Sequence, residues 1–516
     1  MPAATLTWTM IVLAMAVEHS KADETELIKL YSPHPKSGGH FGGGVMSGDR
    51  VLASESNANA VYAYRREANG WVYEATLAPH DPENNIDFGA PAIDGDVAVI
   101  GSPFWGGNSR GAAYVFRRVG TAWSEEAMLL ASDGAAWDYF GSSVAVNGNV
   151  AIVVAGENAG KRVGAAYVFR RGSGGWVEEA KLIGSKAQLY DGFGVGLDLE
   201  GDVAVMGTPY AYTSHGNWSG CAYVFRYDGT AWHEEALLIP STGNELSYFG
   251  FSARLHGETL IAGAPYDSTP TQWAGAAFVF DHQGGSWVET AKIQSLDPKV
   301  ADNFGWSVAL DGERAAIGEY ADMYAQGSVS VFERAAGTWS RTHKLVASDG
   351  EPADYLGSSV DLWGDDLVAA ASNDSDAKPN AGALYFYCKL IPGVPWLDRG
   401  HATPGTNGAP VLQGQGDLQP GQPVTMQLTS ARADSSMVLV IGDTNFEQPI
   451  HGIVLGPYPK FLLLGFRTDA SGATTLSGRW PDGVPSCYAF YFQAVIMDPL
   501  GPDGLAASNI LSTTTR

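Results

Sequence analysis

Three adjacent carboxylate pairs, Glu125-Glu126, Glu178-Glu179 and Glu234-Glu235, come nearest to acid/base chemistry in this chain of 516 residues. A general acid and a general base must reach the same bond. Each pair lies in a segment patterned as a strand, where neighbouring side chains point to opposite faces, so its two carboxylates cannot act together. No other constellation takes their place. There is no Gly-x-Ser-x-Gly elbow, no His-Glu-x-x-His and no Walker loop, and the 11 histidines lack metal-ligand spacing. Asn373, Asp374 and Asp376 share one stretch, which reads as a solvated loop in preference to a metal site. The expectation is no catalytic residue, no metal and no cofactor.

The carboxylate pairs belong to a repeat. Phe-Gly recurs at Phe41, Phe88, Phe140, Phe193, Phe249 and Phe304, with Leu356-Gly357 as a seventh variant, at intervals of 47 to 56 residues. That period matches one four-stranded propeller blade. In the third copy Phe140-Gly141 opens strand A, Asn147-Gly148 turns the chain, and Val150 to Ala155 is strand B. Gly164 to Arg171 is strand C, and Trp176 to Ile183 is strand D. The A–B turns all end on glycine (Gly48, Gly95, Gly148, Gly201, Gly257, Gly312 and Gly364), which supplies the positive φ of a tight hairpin. Trp71, Trp123, Trp176, Trp232, Trp287 and Trp339 open the D strands and read as packing between blades. The seventh copy ends after Tyr387 without a D strand, while Glu26-Leu27-Ile28-Lys29-Leu30 precedes the first Phe-Gly, where a D strand stands in every other copy. It is expected to pair with the last C strand and so remove two open sheet edges.

Phe-Gly, a hydrophobic hairpin and a Gly-Ala-Pro-like tripeptide together resemble the FG-GAP repeats of integrin α-chain propellers and of many secreted bacterial proteins. Gly263-Ala264-Pro265 carries the tripeptide in full; Gly101-Ser102-Pro103 and Gly207-Thr208-Pro209 are close, and Ala155-Gly156-Glu157 and Gly318-Glu319-Tyr320 looser. The resemblance covers about residues 26 to 390 and implies a secreted or cell-surface adhesion module. Many integrin repeats hold calcium in an Asp-rich A–B loop. The A–B connections here are tight glycine turns without room for six oxygen ligands, so no calcium is expected in them.

Alternating strand direction puts the B–C and D–A connections at one end of every blade and the A–B and C–D turns at the other. The B–C segments are long and aromatic, whereas the opposite turns are short. Long loops on a rigid scaffold are where binding usually resides. Phe104, Trp105, Tyr212, Trp218, Trp273 and Tyr324 are the candidate recognition residues for a protein or glycan, against the alternative that these rings fold back and cover the propeller. The sequons Asn217-Trp218-Ser219 and Asn373-Asp374-Ser375 read as incidental.

The formal charge of -25 argues against nucleic acid as a partner, since the surface would repel phosphates. Residues 1–22 read as a signal peptide, with an apolar run from Thr5 to Val17 too short to span a bilayer, and no transmembrane segment is expected in the mature chain. The expected fold is all-β: a seven-bladed β-propeller of four-stranded blades over residues 23–391, closed by the N-terminal strand, then a Pro/Gly-rich linker over 392–410 and a small C-terminal β-sandwich over 411–516. Gly405-Thr406-Asn407-Gly408 and Ala507-Ser508-Asn509 resemble motifs of C-terminal modules on secreted bacterial proteins. Of the three cysteines, Cys221 reads as a buried small residue, and Cys388 and Cys487 could pair in an exported protein. The reading is a secreted or cell-surface, non-enzymatic binding or adhesion protein for an extracellular protein or glycan. A structural envelope or matrix component is the alternative, and a polysaccharide hydrolase or lyase a weaker one.

Overall fold

A computed structural model describes residues 26–514 except 57, 68–69, 82–87, 157–162, 365, 389–395, 399, 417–421, 443–444, 451–452, 458–460 and 480–488. The signal segment and Cys487 lie outside the described residues, as does the side chain of Cys388, and so does their pairing. One compact unit holds Ile28–Arg66 and Trp71–Leu390; a second contains Ile391–Arg516.

The first unit is built of four-stranded sheets. Six of them are consecutive in sequence, spanning residues 42–77, 91–129, 140–182, 197–238, 252–293 and 304–345, and each pairs its strands in the order A-B-C-D. A further sheet joins Leu356–Trp363, Asp366–Ala371 and Ala383–Cys388 to Glu26–Leu30, which lies beside Ala383–Cys388 in the D position. In the third sheet the B strand is Val150–Ala155, all six residues buried, while Gly175–Leu182 at the D position alternates and is partly exposed. A continuous apolar strand suits burial between sheets, and an alternating one suits the outside.

The Phe-Gly glycines mark where each sheet meets its predecessor. A Cβ built on Gly101, Gly207, Gly263 or Gly318 would stand 2.0, 1.9, 2.0 or 2.2 Å from the carbonyl oxygen of Gly141, Gly250, Gly305 or Gly357 in the next sheet. At the remaining junctions the same strand-B position holds Ser54, Val154 or Ala370, so the third copy of the tripeptide begins at Val154 and not at Ala155, and the room comes from Gly89, Gly194 or Gly42 opposite. The Gly42–Ala370 contact joins the last sheet to the first. Parallel bridges from Gly111, Gly220, Gly275 and Gly327, each just before a C strand, reach Phe140, Phe249, Phe304 and Leu356 of the following sheet. The two halves of the repeat motif are therefore the two sides of one inter-sheet contact.

Two further belts tie the sheets. At the A–B turns a side-chain oxygen accepts from the next turn's glycine amide: Ser47 from Gly95 (2.9 Å), Asp94 from Gly148 (2.6 Å), Asn147 from Gly201 (3.1 Å) and Glu200 from Gly257 (2.7 Å). Outside, the indole N–H groups of Trp123, Trp232 and Trp287 donate to Glu74, Glu179 and Glu235 of the preceding sheet at 3.0, 3.1 and 2.9 Å.

Lys29 anchors the N-terminal strand. Its ammonium meets Asp349, Asp374 and Asp376 at 2.8, 2.7 and 2.7 Å and lies over the Tyr385 ring. Lys181, Lys292 and Lys344 hold the same place before the closing Leu or Ile of their D strands and also bind aspartates. The stretch Asn373, Asp374, Asp376 is a surface loop except at Asp374, which is buried, and both aspartates pair with Lys29.

In the second unit, strands at 397–398, 511–514, 489–497, 436–442 and 461–467 form one sheet, with 505–507 beside 489–497. A three-stranded sheet consists of Val411–Gly416, Pro423–Thr429 and Thr474–Arg479. Leu412, Val424, Met426 and Leu428 of the smaller sheet share a buried cluster with Leu439, Phe492 and Ile496 of the larger. The Pro/Gly-rich stretch enters this fold early: Trp396 is buried in that cluster, and Leu397–Asp398 pairs with Leu511 and Ser512. The Gly405-Thr406-Asn407-Gly408 turn is stapled by Asp498, which accepts from the Thr406 amide at 2.6 Å; Asn509 bonds both backbone groups of Leu412.

Candidate recognition face

Antiparallel order brings the B–C connection of each sheet beside the D–A connection entering the next, and a short backbone ladder joins them. The carbonyls of Asn108, Ser109 and Arg110 accept from the amides of Trp137, Tyr139 and Phe140. Those of Asn217, Trp218 and Ser219 accept from Leu246, Tyr248 and Phe249, and those of Gln272, Trp273 and Ala274 from Ala301, Asn303 and Phe304. All nine bonds measure 2.7 to 3.2 Å. Pro379, Asn380 and Ala381 repeat the pattern with Gly38, His40 and Phe41, across the junction of last and first sheets. The long loops are consequently pinned.

The pinning holds bulky residues in left-handed backbone. Trp137, Tyr139, Trp218, Leu246, Tyr248, Trp273 and Tyr355 have φ of 70, 53, 50, 65, 56, 56 and 60°. A side chain there costs about 1–2 kcal/mol and persists only where the surroundings impose it. Here the ladder imposes it, and the strain directs rings to the loop end of the sheets.

Burial supports the loops from beneath. Asp138, Asp191, Asp302 and Asp354, each two residues before the Phe-Gly or Leu-Gly of its sheet, are buried, and each carboxylate accepts a 2.7 Å bond from the amide three residues earlier. Burial raises the carboxyls of Asp191, Asp302 and Asp354 above the usual aspartate range.

The rings form a connected set across neighbouring sheets. Tyr210 meets Tyr248 edge-on at 5.4 Å, Tyr248 meets Trp218 at 6.2 Å and Tyr266 at 4.9 Å, and Tyr266 meets Trp273 at 6.2 Å. Trp306 stacks on Tyr320 at 4.2 Å, and Tyr320 on Tyr355 at 4.4 Å. Phe104 packs on Tyr139 at 5.6 Å. Burial pushes the Tyr210, Tyr266 and Tyr320 hydroxyls up, so these groups stay uncharged at neutral pH.

Of the sequence candidates, Trp218 and Trp273 belong to this set and are 43% and 40% exposed. Phe104 lies with Tyr139 on the second and third sheets; Tyr212 is 60% exposed in the same loop as Trp218, and Tyr324 stands at 93% on the sixth sheet's loop. Trp105 is turned inward, donating from its indole to Asp81 at 2.7 Å and packing on the core. Sequence reading did not name as candidates Tyr139, Tyr248 and Tyr355, which precede Phe-Gly or Leu-Gly, nor Tyr210 and Tyr266, which follow the tripeptide, nor Tyr320, its third residue. Their signal was the position itself, repeated in register with the motif.

The paired carboxylates have other work. Glu178 accepts from the Ser132 amide and hydroxyl, both at 2.8 Å, while Glu179 takes Arg170 and the Trp232 indole. Glu234 does the same with Ser185, and Glu289 with Ser241. Each carboxylate of the pair reaches a different neighbour.

Four-stranded sheets tied edge to face by a recurring glycine contact define a repeat protein with a propeller-like fold. Residues 71–116, 123–169, 176–225, 232–280, 287–332 and 339–387 each match the family model described as FG-GAP repeat, and together they cover more than half of the chain. The chain belongs to the FG-GAP repeat family. No curated protein matches it. Each matched stretch begins at the tryptophan of one D strand and ends in strand C of the next sheet, so the sequence unit is out of step with the sheet by one strand. Residues 26–66 have that same strand order, D then A-B-C, ahead of the first match. Among the described residues no helix is long and apolar enough to cross a membrane.

Proposed function

We propose that this protein is a secreted or cell-surface, non-enzymatic binding module: a seven-bladed FG-GAP propeller closed by Glu26–Leu30, followed by a β-sandwich, recognising an extracellular protein or glycan through its B–C and D–A loops. The observation that carries the reading is the loop end itself, where a backbone ladder fixes bulky aromatic residues in left-handed conformations with their rings partly exposed. Rigid amphipathic rings give contact area with little ordering cost. The glycine turns at the opposite end are spent on inter-sheet hydrogen bonds. Membership of the family supports an extracellular setting, and the engagement of the Glu-Glu pairs in inter-sheet contacts supports binding over catalysis.

The test is to probe the secreted chain against arrays of glycans and extracellular proteins, then to repeat any hit with Trp218→Ala, Trp273→Ala and Trp363→Ala. Trp363 sits at an A–B turn and is exposed. Loss of binding in the first two and retention in the third is expected. The reverse pattern would place recognition elsewhere.

A further inference from the structure

We infer that the ligand is an uncharged polysaccharide, laid across the B–C loops of the fourth and fifth sheets; this rests on the loop face being the binding side. Trp218 and Trp273 hold the same place in successive sheets. Each stands two residues before the glycine that precedes strand C, each has positive φ, and each passes its carbonyl at 3.1 Å to the amide of the residue before the next Phe-Gly. The sheet repeat thus offers the same indole twice, one blade apart, linked through Tyr248 and Tyr266 at centroid distances of 6.2, 4.9 and 6.2 Å. A polymer with its own repeat can use two equal rings; a folded protein surface carries no such period.

The exposed polar residues of the two loops agree with this. Ser214, Asn217, Ser268, Thr269 and Gln272 are exposed, and all are hydroxyls or amides. The two loops contain no lysine, arginine or glutamate, and their one aspartate, Asp267, is fully buried and held by Lys292 at 3.1 Å. The two loops thus carry no exposed Lys, Arg, Asp or Glu of their own; from outside them, Glu245 of the adjoining D–A connection accepts from Asn217 at 2.6 Å. An anionic polymer would find no cation on these loops and would be repelled by the molecule as a whole. Sugar rings present flat C–H faces to an indole and hydroxyls to neutral donors and acceptors, and each charge-free hydrogen bond avoids the desolvation cost of an ion.

The experiment is calorimetric titration of the full chain with neutral hexasaccharides of glucan, mannan and xylan, with hexagalacturonate, and with any protein found on an array. Binding of at least one neutral hexasaccharide is expected, at least tenfold weaker in Trp218→Leu and in Trp273→Leu, unchanged in Trp363→Ala, and weaker for the disaccharide than for the hexasaccharide. Leucine keeps apolar bulk while removing the ring, and circular dichroism checks that each variant is folded. Binding of hexagalacturonate alone, or of no saccharide, overturns the inference. A protein ligand lost in Trp218→Leu would overturn the glycan and leave the binding face standing, whereas saccharide binding lost only in Trp363→Ala would overturn both.

Discussion

Replacing Gly263 by alanine should loosen the junction of the fifth and sixth sheets. The new Cβ would lie 2.0 Å from the Gly305 carbonyl oxygen and 2.4 Å from the Ser252 hydroxyl. The hydroxyl can rotate, but the carbonyl is backbone within a sheet. Ordinary carbon–oxygen contact begins above roughly 3.2 Å, so the sheets must part by about 1 Å. The cluster between them includes Ile261, Val279, Phe304, Val308, Ile317 and Phe332. A gap of that size forfeits a quarter to a half of each dispersion contact it opens, and overpacking of this kind costs about 1–3 kcal/mol, with backbone clashes at the upper end. Two controls separate crowding from conformation. Gly257, with φ of 57° and open space around it, should lose about 1 kcal/mol on substitution by alanine, and Gly172, unstrained and uncrowded, less than about 0.5 kcal/mol. Urea unfolding followed by circular dichroism gives all three values, with equal m-values as the check on comparable transitions. If Gly263→Ala proves no more destabilising than Gly172→Ala, the glycine contact is not what joins the sheets.

Lys29→Met should cost about 2 kcal/mol in the same assay, because it strands buried Asp374 while Asp349 and Asp376 keep some solvent. Burial opposes charge on Asp297, but hydrogen bonds from Arg341 and Lys344 hold its carboxyl at about 2. An unfolded aspartate titrates near roughly 4, so the stability this group contributes is present above that pH and is lost as pH falls through about 2; Asp297→Asn should flatten the fall in urea midpoint between those limits. Burial pushes the Cys221 thiol up to about 12, so iodoacetamide at pH 8 should leave it unmodified in the folded chain and alkylate it after denaturation, read from the mass of its peptide.

The blades were legible because their markers are local. A strand B of uniform burial such as Val150–Ala155 and a glycine turn after Asn147 declare themselves within ten residues. What Phe-Gly and Gly-Ala-Pro do for one another was not legible, since Gly263 and Gly305 belong to different sheets and touch only once both have formed. The candidate face was half visible: Trp218 and Trp273 stood out as large residues in the B–C loops, while Tyr248 and Tyr355 lie in D–A connections whose geometry needs the ladder to be seen. Trp105 shows the limit from the other side, because nothing near it in sequence announces that Asp81 will take its indole. In the second unit, Val411–Gly416 carries no apolar alternation to announce a strand: two glycines and two glutamines leave Leu412 as its residue in the buried cluster. Trp396 was read with the linker because prolines surround it.

In the proposed propeller, the fixed geometry of the loop face depends on the sheets closing on themselves through Glu26–Leu30. Amide hydrogen exchange across Ala383–Cys388, compared between the whole chain and one starting at Tyr31, measures that closure directly. Without its neighbour Glu26–Leu30 the strand should lose protection, while Ala165–Gly172, the same strand in the third sheet, keeps its own. Unchanged protection at 383–388 would mean that Glu26–Leu30 does not cover that edge, and the closed ring would have to be abandoned.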